Sequence, residues 1–493
     1  MNDIVIKDFS KGIAESPHLG FADLRNVTID EETGVLRIEW DSVKVSGAVI
    51  TNRIKWIVNN EAIPANYYAI DASGDVYTSG DSGGSWASSS NRAGFGEGAV
   101  VWKDYLLVTT NTGIDAFGPL SGSAVWIENV MGATIATDAL FHPMITGQDD
   151  IVYIGAGRYV ASLQEVDGQN FQAGTASTFT FSAQALDLPE DYRVKCIAEL
   201  GKNLMIGTWK GATASNQAKT ADIFPWDRKS DSFNLPLRLA ENGINQMISM
   251  GGLVYFQAGS EGKIFVTDGT SIKLIGQIPK HITNLVGAKW IEAYPGAMIF
   301  HKGKILFGIM SPGGNGQEVT DGIGVWSINP DTKALVFENQ ISTGSTGGVA
   351  GSDVQITALK SVDRNSYLIG WEDGNTYGID KISNTIRYTG YKSFATSAYY
   401  PLGTKQKPVP LSEIEFQLAK PFGTAQGVRL KYRTDLNAAF TTIGTYDAAT
   451  YGTTIAGYID TFGVTVDEGI QIRAELTTNS GSTTVDLREI RIR

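Results

Sequence analysis

The chain has 493 residues, 42% of them hydrophobic and 19% charged, a length that accommodates two or three domains. Its 56 glycines, about 11% of the chain against a usual ~7%, favour turn-dense β architecture. A net charge of −12 argues against a protein built to wrap nucleic acid or lie on an anionic membrane, and the lone Cys196 excludes an internal disulfide and a cysteine-based zinc site. The first residues, MNDIVIKDFS, lack the basic and apolar regions of a secretory signal, and no apolar run is long enough to span a bilayer, so the expectation is a soluble protein made in a cytoplasm.

From about residue 51 a strand–turn–strand pattern recurs, as in YYAIDASGDVYTSG, AVVWKDYLLVTTNTGIDAF, CIAELGKNLMIGTW and TALKSVDRNSYLIGWEDGNTYGID. The second strands align on Tyr67, Tyr105, Ile151, Leu204, Leu253, Ile305 and Tyr367, a period of about 50 residues. Each unit offers three or four short strands that cannot bury both faces alone, and stacking around an axis solves that problem. The pattern predicts an all-β fold with a β-propeller of about seven blades. Polar insertions at Gly211–Thr220 and Ser311–Gly322 read as rim loops.

After about Thr396 the strands lengthen and alternate strictly, with Val428, Leu430 and Tyr432 facing a core and Arg429, Lys431 and Arg433 facing water. This predicts a C-terminal antiparallel β-sandwich, jelly-roll-like in pattern. The expected organisation is an N-terminal segment over 1–50 joining the propeller, a propeller over 51–395 and a sandwich over 396–493. Acidic and basic residues balance in the last of these, so the net charge falls on the propeller half. Loops such as Glu372-Asp373 and Asp149-Asp150 are then expected to line a channel in an oligomer.

Gly80-Asp81-Ser82-Gly83-Gly84 matches a serine-protease string and a nucleophile elbow, but no helix start follows Ser82, and the only earlier histidine is His18. Read two residues wider, Ser79-x-Asp81-x-Gly83-x-Ser85-Trp86 resembles the Asp-box of sialidase-like propellers, with Ser85 in place of Thr. There the Asp accepts backbone N–H bonds, Gly takes the strained turn position and Trp packs beneath. Ser79, Asp81, Gly83 and Trp86 are therefore expected to form a structural turn.

No catalytic, cofactor-binding or metal-ligating set is expected. The four histidines, His18, His142, His281 and His301, are dispersed, and Asp71-Ala72-Ser73-Gly74-Asp75 lacks the twelfth-position Glu of a calcium loop, so a plain turn is the better reading. Cys196 lies in an apolar run as a small hydrophobe, and Trp209, Trp226, Trp326 and Trp371 read as blade core rather than sugar platforms.

Asp8-Phe9-Ser10-Lys11-Gly12-Ile13, Ser16-Pro17, Gly20-Phe21-Ala22-Asp23-Leu24-Arg25-Asn26-Val27 and Gly34-Val35-Leu36-Arg37 resemble the opening of many bacteriophage tail structural proteins, departing from it at Lys11 and Ala14. A propeller plus a terminal sandwich is similar to the tail-nozzle (tubular tail protein B-like) and tail-tip proteins of short-tailed phages. The resemblance implies a non-enzymatic virion protein, assembled in the host bacterial cytoplasm into a homo-oligomeric ring, a hexamer being one order. It implies adaptor and fibre proteins and a host surface glycan or receptor as partners, and phage DNA that passes without specific binding. The alternative is a sialidase-like carbohydrate-active or carbohydrate-binding propeller.

Overall fold

A computed structural model describes residues 3–13, 20–47, 49–90, 98–110, 113–130, 135, 141–165, 179–210, 220–279, 293–310, 322–342, 354–479 and 483–493. Helix among them is confined to a 3-10 turn at Phe9–Lys11 and one turn at Ala448–Tyr451. His18, His281, Ser16-Pro17 and nearly all of the two insertions lie outside the described residues.

The chain forms two compact units, 44–324 with 341–381, and 1–43 with 325–340 and 382–493. In the larger unit, five four-stranded antiparallel meanders follow one another. Blade 1 is Ile54–Asn59, Tyr67–Asp71, Val76–Ser79 and Ala87–Ser90. Blade 2 is Gly98–Trp102, Tyr105–Thr109, Ile114–Gly118 and Val125–Ile127. Blade 3 is Met144–Thr146, Val152–Ala156, Tyr159–Glu165 and Phe179–Asp187. Blade 4 is Tyr192–Leu200, Asn203–Lys210, Ala221–Trp226 and Leu237–Leu239. Blade 5 is Ile244–Met250, Leu253–Ala258, Lys263–Thr267 and Ile272–Gln277. Blade 6 enters as the hairpin Met298–His301 and Lys304–Gly308, and blade 7 as Val354–Ser361, Tyr367–Asp373 and Thr376–Arg387.

The first strand of each blade packs on the first strand of the next, and that of blade 7 packs back on blade 1, which closes the ring at seven. Six of the seven expected positions stand in the second strand of their blade, and Ile151 immediately precedes it. Blade 7 takes its outer strand from the segment preceding blade 1. Val45 N donates to Ile379 O (2.9 Å), Ile379 N donates to Ser46 Oγ (3.1 Å) and Lys44 Nζ donates to Tyr377 O (3.2 Å). Ring closure thus joins residues over 330 positions apart, and Tyr67, Tyr77 and Trp86 of blade 1 share one apolar cluster with Ala358, Leu368 and Ile379 of blade 7.

In the smaller unit, one sheet runs in the order Ile4–Lys7, Leu487–Ile492, Val409–Leu418, Gly457–Val466. The other carries Ser393–Thr396, Gly469–Thr478, Gln426–Arg433 and Thr441–Asp447, with Asp23–Arg25 alongside. Aromatic rings join the two sheets: Phe416 meets Tyr446 at 4.9 Å and Tyr432 meets Phe462 at 5.1 Å. Val428 and Leu430 are fully buried, as the alternation requires. The outward arginines are clothed rather than bare, Arg429 over the Tyr391 ring at 3.8 Å and Arg433 over Phe440 at 4.6 Å.

The division differs from the expected one in that residues 1–43, 325–340 and 382–395 group with the C-terminal strands. The physical reason is backbone pairing. Ile4–Lys7 lies antiparallel along Leu487–Ile492 with Ile4 opposite Ile492, and Arg37 grips Asp486 through Nε (3.0 Å) and Nη2 (3.1 Å).

Candidate functional site

The Asp-box-like segment spans the turn between the third and fourth strands of blade 1. Asp81 Oδ1 accepts from Ser79 Oγ (2.7 Å) and Ser85 N (2.9 Å), its Oδ2 from Ser85 Oγ (2.8 Å), and Gly83 N donates to Ser79 Oγ (2.9 Å). Although partial burial works the other way, these donors together hold the Asp81 carboxyl at about 2. Gly83 has φ +77°, and a Cβ there would lie 2.6 Å from Leu368, so both conformation and space demand glycine. Trp86 is buried in the cluster that joins blades 1 and 7. Ser82, the would-be nucleophile, sits at φ +59° with its carbonyl accepting from Lys381 Nζ (2.8 Å).

A related Asp-centred turn follows the third strand of two further blades. Asp227 after the third strand of blade 4 accepts from Lys229 N and Ser230 N, and Asp268 after the third strand of blade 5 accepts from Thr270 N and Ser271 N. Backbone hydrogen bonds hold both carboxyls at about 2. The segments D-R-K-S and D-G-T-S share an Asp followed three residues on by a Ser whose hydroxyl also donates to it, and that spacing is the signal that could have found them.

A group whose folded pKa is depressed contributes stability that is present above its unfolded value and lost as pH falls through the folded one. Asp81→Asn should therefore cost about 1 kcal/mol at pH 7, since one exposed carboxylate loses its charge-assisted bonds. The difference should shrink between pH 4 and pH 2, as thermal melts at the two pH values will show. An equal loss at both would mean that charge plays no part in the turn.

The segment Asp71-Ala72-Ser73-Gly74-Asp75, expected as a plain turn, is an Asx turn. Asp71, at the end of the second strand of blade 1, accepts from Ser73 N (2.9 Å), Ser73 Oγ (2.8 Å), Asp75 N (2.9 Å) and Tyr77 OH (3.0 Å). Among the described residues, no three His, Cys, Asp or Glu side chains gather as a metal site. His142 is fully buried with Nδ1 on Gly155 O (2.7 Å), and His301 meets Ser361 Oγ at 3.2 Å, its pKa brought down to about 4 mainly by burial. Cys196 is buried with its thiol pKa pushed up by desolvation, and Trp209, Trp226, Trp326 and Trp371 are all buried.

The centre of the propeller is a feature that spacing did not reveal. Phe141, just before blade 3, has Lys55 of blade 1 over its ring at 6.0 Å, Lys195 of blade 4 at 5.5 Å, and Tyr294, which leads into blade 6, edge-on at 6.4 Å. Groups from three non-adjacent blades meet only at the axis, so Phe141 occupies it. Lys55, Lys195, Asn245 and Thr357 are the extra residues of bulges in the innermost strands of blades 1, 4, 5 and 7, a device that re-aims side chains. Lys195 Nζ donates to Asn245 Oδ1 (2.8 Å), and Tyr294 OH donates to Gln355 Oε1 (2.9 Å).

Comparison with known proteins finds no matching family model and no matching curated protein. Among solved structures, the chain is similar to the extracellular domain of a putative hybrid two-component system from B. thetaiotaomicron, at 14% identity and TM-score 0.46. That match covers 79% of this chain and 45% of that one, so the chain spans less than half of the neighbour's length. It is similar also to YCF48 bound to a D1 peptide (7% identity, TM-score 0.44, 69% of this chain, 95% of that one). A third is the β-propeller domain of Cps50 (Swd1) from Myceliophteria thermophila (8% identity, TM-score 0.44, 69% and 100%). The seven-blade assignment rests on the strand contacts themselves.

The N-terminal motif residues are framework. Phe9, Leu24, Val27 and Leu36 are fully buried, and Phe9 stacks on Phe21 at 5.1 Å. Asn26 adopts φ +53°, donates from Nδ2 to Gln340 Oε1 and Lys392 O (both 3.1 Å) and accepts from Gln340 N (3.3 Å). Asn tolerates this conformation better than other non-glycine residues.

The expectation that Glu372 lines a channel is corrected. Its carboxylate is buried and bound to Arg53 Nε at 2.5 Å, because an unpaired charge there would be costly. Asp149 and Asp150 act at the blade rim, Asp149 accepting from Tyr153 OH (2.8 Å) and Asp150 from Trp102 Nε1 (3.0 Å) and Lys103.

Proposed function

We propose that this chain is a non-enzymatic structural component of a bacteriophage tail, a nozzle or tail-tip ring that gives DNA passage and carries attachment to the host. The observation that carries the reading is the N-terminal set Phe9, Leu24, Asn26, Val27, Leu36 and Arg37. Its members resemble the opening of such proteins, and every one of them serves the framework of the smaller unit. The partners proposed are other copies of the chain, adaptor and fibre proteins of the tail, and a surface glycan or receptor of the host.

Phe141 on the propeller axis bears on how DNA would pass. A duplex cannot thread a channel held by an aromatic side chain and its cationic neighbours, so the lumen of this reading lies between subunits. The net charge of −12 would limit retention of DNA by counterion release.

Negative-stain imaging and mass measurement of the purified chain test the reading. A ring with an open lumen and no micromolar binding of duplex DNA at low salt is expected. A discrete monomer that hydrolyses sialosides would put the carbohydrate-active alternative first, and tight, salt-sensitive DNA binding would remove the conduit.

A further inference from the structure

The smaller unit holds a cavity of about 400 Å³ lined by Glu31, Arg37, Arg387, Lys420, Gln426 and Thr484 together with Pro421, Gly423 and Thr483. That volume lies in the range of small-molecule sites. Part of its wall is tied together by hydrogen bonds. Gln426 accepts from Gly423 N (2.7 Å) and donates to Thr484 O (2.9 Å), while Thr484 Oγ1 accepts from Ile38 N (2.9 Å).

The two arginines of the wall differ in one respect. A guanidinium presents its Nε and Nη2 hydrogens as a side-on fork that matches the two oxygens of a carboxylate. In Arg37 that fork is filled by Asp486. Arg387 lies over the Trp40 ring at 3.9 Å and donates through Nη1 to Ile38 O, which fixes its plane. Its Nη2 reaches only Glu31 Oε1, at 3.5 Å, and its Nε is buried with no hydrogen-bond partner. Glu31, itself a third exposed, stands at the same 3.5 Å from Arg37 Nη1 and so makes a close bond with neither arginine. Lys420 at the rim is mostly exposed and shares Asp486 with Arg37 (2.9 Å). A buried guanidinium edge left half-filled is costly, and a better-placed acceptor would relieve it.

We propose that this cavity binds a small organic carboxylate that displaces Glu31, meets Nη2 of Arg387 and then gains its Nε, which is closed to solvent while Glu31 is in place, with Lys420 as the second cation. The remaining volume accommodates a ring the size of a monosaccharide, so an acidic sugar satisfies the site better than acetate. Such a ligand can come free or as the end group of a surface glycan. The site is independent of the tail reading, because it belongs to the isolated chain.

Saturation-transfer NMR and calorimetry on the full chain, with glucuronate, glucose, acetate and inorganic phosphate as probes, test the proposal. Glucuronate should bind in the millimolar range, acetate more weakly and glucose not at all. An oligosaccharide ending in glucuronate that binds more tightly than the free sugar assigns the glycan source, and equal affinity assigns the free metabolite. Glu31→Gln removes the internal competitor and should tighten glucuronate by about threefold, a gain that a merely structural Glu31 would not produce. Lys420→Ala, at an exposed position, should weaken it by about threefold without affecting folding, and Arg387→Lys should abolish most of it by losing the fork. Phosphate binding more tightly than glucuronate would overturn the carboxylate assignment. Absence of glucuronate binding in both wild type and Glu31→Gln, or weaker binding in Glu31→Gln, would overturn the site.

Discussion

Asp71→Ala is expected to destabilise the propeller by about 3 kcal/mol, because one buried carboxylate satisfies four donors and burying orphaned donors costs about 1–3 kcal/mol each before water re-enters. Ser73 N and Asp75 N lie near the surface and can recover partners from solvent. Tyr77 cannot, since it is 1% exposed and its hydroxyl is left with the longer contact to Thr51 Oγ1 at 3.2 Å in place of a carboxylate. Tyr77 also belongs to the cluster shared by blades 1 and 7, so the loss falls on ring closure. Urea denaturation followed by circular dichroism should show the lowered midpoint, with Asp71→Asn about 1 kcal/mol less severe because it keeps an acceptor oxygen. Millimolar calcium or EDTA should leave wild-type melting unchanged. A calcium-dependent rise in melting temperature that disappears in Asp71→Ala would restore a metal role for this turn.

Gly98→Ala should be at least as severe, at about 3 kcal/mol or more, although it adds one methyl group. Gly98 opens the first strand of blade 2, and a Cβ at this position would lie 1.9 Å from the carbonyl oxygen of His142 and 2.9 Å from Thr109 Oγ1. Thr109 Oγ1 is within 3.1 Å of both the Gly98 and His142 carbonyl oxygens, and His142 is anchored in turn on Gly155. The obstacle is backbone rather than a flexible side chain, so relief requires blades 2 and 3 to separate, and tight packing resists such a shift. Gly457→Ala, with nothing within 4 Å of its Cβ and no positive φ, is the matched control and should stay within about 0.5 kcal/mol of wild type. A Gly98→Ala protein that melts with the control would mean that the two blades do not approach so closely in solution.

The seven second strands were legible because a blade is a local object: its strands are neighbours in sequence, its turns need Gly, Asp or Asn, and its buried faces impose their own period. The alternation through Val428 and Leu430, and the turn at Asp81 followed by a buried Trp86, were legible for the same reason. Four other features were decided by tertiary structure alone. The outer strand of blade 7 comes from around Lys44, and Ile4–Lys7 pairs with the last strand of the chain. Phe141 holds the axis, and Arg387 meets Glu31 across more than 350 residues. In each case the partners lie far apart in sequence, and nothing in either segment encodes which distant segment will meet it. Loop-closure entropy rises only logarithmically with separation, so it scarcely penalises such pairings and leaves no periodic trace. Strand composition therefore sets what can form, while closure of a seven-membered ring and the need to cover open sheet edges decide which distant residues meet.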